Sequence, residues 1–159
     1  LVISGLGVQL IAGKLPNPDT SSPGMKRVNR ANASCPTMPS MRPIAQLPKA
    51  TILTFVDLGP RLITITHHNA IAGPYHRNGE AILDIQTAFR GSSDDARAVA
   101  RKHEATLLLI CPNMSESTIY KAQSPKGFYM QLVNGKIPDW LEPVPLPARS
   151  PFLLWRVKL

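Results

Sequence analysis

Sixteen prolines constrain what this chain can fold into more than any other feature of it. Each removes a backbone donor and pushes the preceding residue out of the helical region, so prolines collect where regular elements end or are absent. Most lie between Pro16 and Pro48 or between Pro138 and Pro151. They bracket a centre that is left free to form strands and helices. The chain has 159 residues, 43% of them hydrophobic and 18% charged, which suits one packed domain with extensions rather than a disordered polyelectrolyte.

Residues 1–13 carry no charge before Lys14. The run is shorter than the roughly 20 residues that span a bilayer, and it lacks an initiator Met, a basic leader and a small-residue cleavage site. It fits the exit end of a truncated transmembrane helix, a buried strand or helix, or a clipped terminus. Glycines at 5, 7 and 13 weaken a soluble helix but are tolerated in membrane helices, so the first reading is the expectation. Residues 14–50, rich in Pro, Ser and Asn, read as an extended linker, and 51–159 as the soluble domain.

The centre is expected to be α/β. Strands are predicted at 51–56, 69–72 and 106–110, the last from its unbroken apolar run. Residues 61–66 match a helical turn and a strand equally. A helix is predicted after Asn78, with Glu80 in its first turn, Ile82, Ile85, Ala88 and Phe89 at helical spacing, and Gly91 as its stop. A second helix starts at Ser92 or Ser93, where Asp94 and Asp95 complement the positive end of the macrodipole. Shorter helices are predicted at 115–123 and 127–133. A proline-rich extended strap over 138–150, holding Trp140 and Leu141, then leads to a docked terminal strand at 152–157. The fold class is therefore α/β, with a small mixed or mostly parallel sheet and flanking helices.

The formal charge of +8 suggests an anionic partner. Its cations are scattered singly or in pairs, with no interleaved aromatics, which argues against nucleic acid. A membrane surface or an anionic lipid-linked or phosphorylated substrate fits at least as well.

The stretch 51–78 concentrates the chemistry. Asp57 stands at the carboxyl end of a predicted strand, where open α/β sheets place ligands, although an Asx-type turn before Gly59 and Pro60 explains the same residue. His67 is a ligand-binding candidate, but as neighbours in a strand His67 and His68 would point to opposite faces and could not share a metal. Tyr75, His76, Arg77 and Asn78 place an imidazole and a guanidinium near a helix start. That combination suits a phosphate or carboxylate, and a rigid capping turn explains it as well. The chain has no nucleophile elbow, phosphate loop, dinucleotide fingerprint or zinc motif, so neither cofactor nor metal is expected. Asn32 and Asn113 each begin a glycosylation acceptor pattern. Cys35 and Cys111 are the two cysteines, each followed by proline. They read either as a bridge closing a long loop or as two free thiols.

Four stretches carry a resemblance: Phe55-Val56-Asp57-Leu58-Gly59-Pro60, Thr66-His67-His68-Asn69-Ala70-Ile71-Ala72-Gly73-Pro74-Tyr75-His76-Arg77-Asn78, Leu107-Leu108-Leu109-Ile110-Cys111-Pro112, and Trp140-Leu141-Glu142-Pro143-Val144-Pro145-Leu146-Pro147. From about Cys35 onward the chain resembles the C-terminal periplasmic region of alphaproteobacterial polytopic inner-membrane proteins similar to polyprenol-sugar-dependent membrane glycosyltransferases. The resemblance implies that 1–13 ends a last transmembrane helix, that the remainder faces the periplasm, and that Cys35 and Cys111 form a bridge. It also implies that the catalytic carboxylates lie in the membrane portion, so no catalytic residue is assigned here. An accessory domain that helps bind an acceptor or a lipid-linked sugar headgroup is the leading expectation. The alternatives are a small enzyme or binding module for a phosphorylated ligand using Asp57, His76 and Arg77, and a purely structural or oligomerisation domain.

Overall fold

The computed structural model describes residues 21–73 and 77–159. The expected end of a membrane helix at 1–13 lies outside the described residues, as do Tyr75 and His76. No helix among the described residues is long and apolar enough to cross a membrane.

The expectation of an extended linker fails over 23–45, where two helices form: α1 (Pro23–Ser34) and α2 (Met38–Ala45). The prolines help to explain this. Pro23 and Pro39 stand in first turns, where a missing N–H has no helical partner to lose. Ser22 and Thr37 cap the two starts, accepting from Met25 N–H and Ser40 N–H. Met41 and Ile44 of α2 are fully buried, so the packed core begins well before residue 51.

The sheet then builds outward from its middle. β1 (Thr51–Leu53) pairs in parallel with β2 (Asn69–Ala70) on one side and β3 (Leu107–Ile110) on the other. β5 (Leu153–Val157) runs antiparallel along β3, and β4 (Leu141–Pro143) antiparallel along β5. The order β2-β1-β3-β5-β4 makes this a five-stranded mixed sheet, as the α/β reading expects. All four residues of β3 are buried, consistent with their unbroken hydrophobicity and their place between two strands. The predicted strap contains a regular edge strand, β4, and Pro143 is tolerated there because it ends that strand at the sheet margin.

The ambiguous stretch at 61–66 is helical: α3 (Gly59–Ile65) connects β1 to β2 and packs on α2 and β2. α4 (Gly79–Arg90) contacts α5 (Ser93–Lys102), α6 (Ser115–Gln123) and α7 (Phe128–Val133). Ile85, Ala88 and Phe89 of α4 are fully buried, matching the apolar periodicity that predicts the helix. α5 opens with a complete capping box, in which Ser92 Oγ accepts from Asp95 N–H while the Asp95 carboxylate accepts from Ser92 N–H. The helical layer and the sheet meet over an aromatic cluster. Phe55 lies 5.2 Å from Phe89, 5.8 Å from Tyr120 and 5.9 Å from Tyr129, centroid to centroid.

A disulfide joins Cys35, just past the end of α1, to Cys111, just past the end of β3, across 76 positions of sequence. It leaves no free cysteine among the described residues. A second tie runs beside it, where Asn32 bonds Ser115 at the start of α6, accepting the Ser115 N–H at 3.0 Å and donating to its Oγ at 2.6 Å.

Candidate functional site

The strand predicted for 51–56 ends at Leu53, and the reason defines the site. Beyond Leu53 the amides of Val56 and Asp57 turn away from the sheet and donate to the Glu116 carboxylate, Val56 to Oε1 at 3.0 Å and Asp57 to Oε2 at 2.8 Å. Tyr120, one helical turn along α6, donates its hydroxyl to Glu116 Oε1. The carboxylate thus clasps the loop after β1 to the first turn of α6, a link across about 60 residues of sequence.

Glu116 is only 8% exposed. Burial pushes its carboxyl above the ordinary range, against the opposing pull of the Asp57 amide, the Tyr120 hydroxyl and the Val56 amide, and the nearby Asp57 charge adds to the rise. Burial likewise drives the Tyr120 phenol well above its usual value, reinforced by the Glu116 charge and hydrogen bond. Tyr120 is therefore a neutral donor at any physiological pH.

Over this clasp opens a cleft of about 310 Å³, lined among others by Asp57, Gln86, Arg90, Glu116, Tyr120 and Gln123. Ile82 and Ile119 contribute apolar wall. Asp57 is exposed, and its carboxylate has no hydrogen-bond partner among the described residues. The cleft therefore presents one free carboxylate, one guanidinium and two amides beside apolar surface. Amide and carboxylate groups of this kind pair with adjacent hydroxyls through several donors and acceptors at once. The cleft lies past the carboxyl end of the parallel strand β1.

The other expected site residues are distributed differently. Arg77 is exposed and does not line this cleft, and Asn78 precedes α4 without a side-chain capping bond, so capping does not explain that residue. The turn carrying Asp57 and the turn leading to Tyr75 do meet, at Gly59. A side chain there would put its Cβ 2.1 Å from the Ala72 carbonyl oxygen and 3.5 Å from Gly73 Cα. Pro60 follows within the first turn of α3, so the Asp57-Leu58-Gly59-Pro60 motif has a structural account: amides for the clasp, a gap for Ala72 and a helix start.

His68 is structural as well. It is buried, its Nδ1 accepts the Ala50 amide at 3.1 Å, and its Nε2 lies 2.7 Å from the Ile44 carbonyl, which fixes the Nε2–H tautomer. His67 is exposed, its ring 4.4 Å from that of His68, and it does not line the cleft.

Sequence reasoning missed Glu116, Tyr120, Gln86 and Arg90. The four-residue spacing of Glu116 and Tyr120 places both on one face of a predicted helix, but nothing local says that this face meets the loop after β1.

No protein-family model matches the chain, and no characterised protein matches it in sequence. The fold has a counterpart among solved structures, the C-terminal globular domain of an oligosaccharyltransferase. That domain, from Archaeoglobus fulgidus, aligns with a TM-score of 0.51 and 10% identity, over 87% of this chain and 99% of the other. At that identity the two share an architecture and nothing finer.

Proposed function

We propose that this chain is the periplasmic C-terminal accessory domain of a polytopic, glycosyltransferase-like protein of the bacterial inner membrane. In this reading it helps to hold the acceptor glycan or the sugar headgroup of a lipid-linked donor. The observation that carries the proposal is the fold likeness, which spans nearly the whole of a domain that ends an oligosaccharyltransferase. Two features support it. The Cys35–Cys111 bridge suits an oxidising compartment. The strand-end cleft, with Asp57, Gln86, Arg90 and Gln123 around apolar walls, suits a polyhydroxylated ligand. Catalysis is assigned to the membrane portion of the whole protein, not to this domain.

Two experiments test the reading. The coding sequence upstream of Leu1 is expected to contain several apolar spans of about 20 residues; their absence would end the membrane-protein reading. Titration of the chain with hexose and N-acetylhexosamine glycosides, followed by amide NMR, is expected to shift signals around Asp57 and α6 in the wild type and not in D57N or R90Q. Shifts that are absent, or identical in the variants, would remove the cleft from the proposal.

A further inference from the structure

α1 is an unusual helix for a packed domain. Of its twelve residues only Ala31 is buried, and α1 has no acidic residue in its first turn and no basic one in its last. A helix of this length is marginal on its own and depends on what it contacts. Here its attachments are the Ala31 side, the Asn32 pair to Ser115 and the disulfide one residue past its end.

Beside that buried position one side of the helix is cationic. Lys26 and Arg30 are four apart and Arg27 and Arg30 three apart, so the three share one side, and all three are exposed. Like charges at these spacings repel, and Lys26 sits in the first turn, at the positive end of the macrodipole. No ion pair among the described residues relieves them. Residues 20–56 contain no Asp or Glu, and the ion pairs among the described residues all lie elsewhere, at Glu80, Asp84, Lys102 and His103. Of the three cations, Arg27 alone also lines a groove, together with Lys121 and the half-exposed Met25. Charge arranged against its own helix, without an ion-pair partner among the described residues, is open to an external anionic surface.

The chain itself argues for which surface. The nine residues 14–22 connect the uncharged run 1–13 to α1. Fully extended they reach about 30 Å, so α1 stays within that distance of wherever the apolar run ends. This step rests on the membrane reading proposed above. We propose that the Lys26, Arg27 and Arg30 face of α1 is the surface by which the domain lies on an anionic phospholipid bilayer. The disulfide and the Asn32 pair would then hold this contact rigidly to the loop after β3, and so set the domain's orientation over the membrane.

The test uses the full 159-residue chain and flotation with vesicles of neutral phosphatidylcholine or of phosphatidylcholine containing phosphatidylglycerol. The apolar run accounts for binding to neutral vesicles; the proposal concerns the added affinity on anionic ones. At roughly fivefold per cation, the triple variant K26Q/R27Q/R30Q should lose about a hundredfold of that increment. The control triple K136Q/R149Q/K158Q removes the same charge from exposed positions elsewhere and should lose little. Equal losses in the two triples would show an effect of net charge alone and overturn the proposal, as would no loss in the α1 variant. The membrane reading is judged separately by the upstream coding sequence. An α1 variant that behaves as wild type beside apolar upstream spans would sink this inference and leave that reading standing.

Discussion

Replacing Glu116 tests the centre of the site. Glu116→Ala strips the Val56 amide, the Asp57 amide and the Tyr120 hydroxyl of their common acceptor. A buried donor left without a partner costs about 1–3 kcal/mol. Asp57 is exposed and water can replace its lost bond, so the Val56 amide and the Tyr120 hydroxyl carry the effect, and the loss should be about 2–6 kcal/mol. Glu116→Gln keeps one oxygen at the Oε1 position for those two donors and removes the buried charge, but sets its NH2 against the Asp57 N–H; it should lose about 1–2 kcal/mol at neutral pH, less than alanine.

The pH dependence has a definite sign. The folded carboxyl titrates above its unfolded value, so this group's contribution is fully present below the unfolded pKa and is lost as pH rises through the folded one. Wild type should therefore gain stability relative to Glu116→Gln as pH falls from neutral toward the ordinary glutamate range. Urea unfolding of the three proteins across that range measures both effects. Alanine and glutamine variants of equal stability would refute the clasp. A wild type that weakens relative to the glutamine variant on acidification would show that the three hydrogen bonds outweigh burial.

The remaining predictions concern what surrounds the clasp. Replacing both cysteines by alanine should cost about 4 kcal/mol on the chain-entropy account, given the 76-position loop; a loss under about 1 kcal/mol by denaturant titration would mean that α1 is held without the bridge. Gly59→Ala should destabilise by about 1–3 kcal/mol or more, because the added methyl meets the Ala72 backbone carbonyl rather than a movable side chain, and a neutral result would show that the two turns are not pressed together. At the junction of α4 and α5, burial acts to raise the Asp84 carboxyl but is outweighed by hydrogen bonds from His103 at 2.7 Å and Lys102 at 2.9 Å, which leave it below its ordinary value. Its contribution is present above the unfolded carboxyl pKa and lost as pH falls through the folded one, so Asp84→Asn should flatten the acid limb of the stability profile; at this partly exposed site the change should stay under about 1 kcal/mol.

Much of the fold is legible in local sequence because its causes are local. Ser92 and Asp95 start α5 through bonds three residues apart. Ile85, Ala88 and Phe89 reveal the buried side of α4 through their spacing, and the run from Leu107 to Ile110 marks a strand covered on both faces. The cysteines, each at the edge of an element, are compatible with a bridge or with free thiols; the resemblance implies the bridge, and the structure contains it.

What the tertiary structure alone decided lies in partners distant along the chain. The composition of 14–50 describes a linker, yet two helices form within 23–45 because Pro23 and Pro39 fall in first turns, Pro36 falls between the helices, and Pro43 is tolerated in a short helix whose Met41 and Ile44 reach the core. Asp57 could be singled out as a candidate from its place after a strand, but nothing local distinguishes Glu116 from any acid in a helix's first turn. Its role comes from the packing of α6 against the loop after β1, which turns an ordinary carboxylate into the buried acceptor of two backbone amides from the other half of the domain. Periodicity reports which side of an element is apolar; only closure of the sheet decides which polar groups must then satisfy one another.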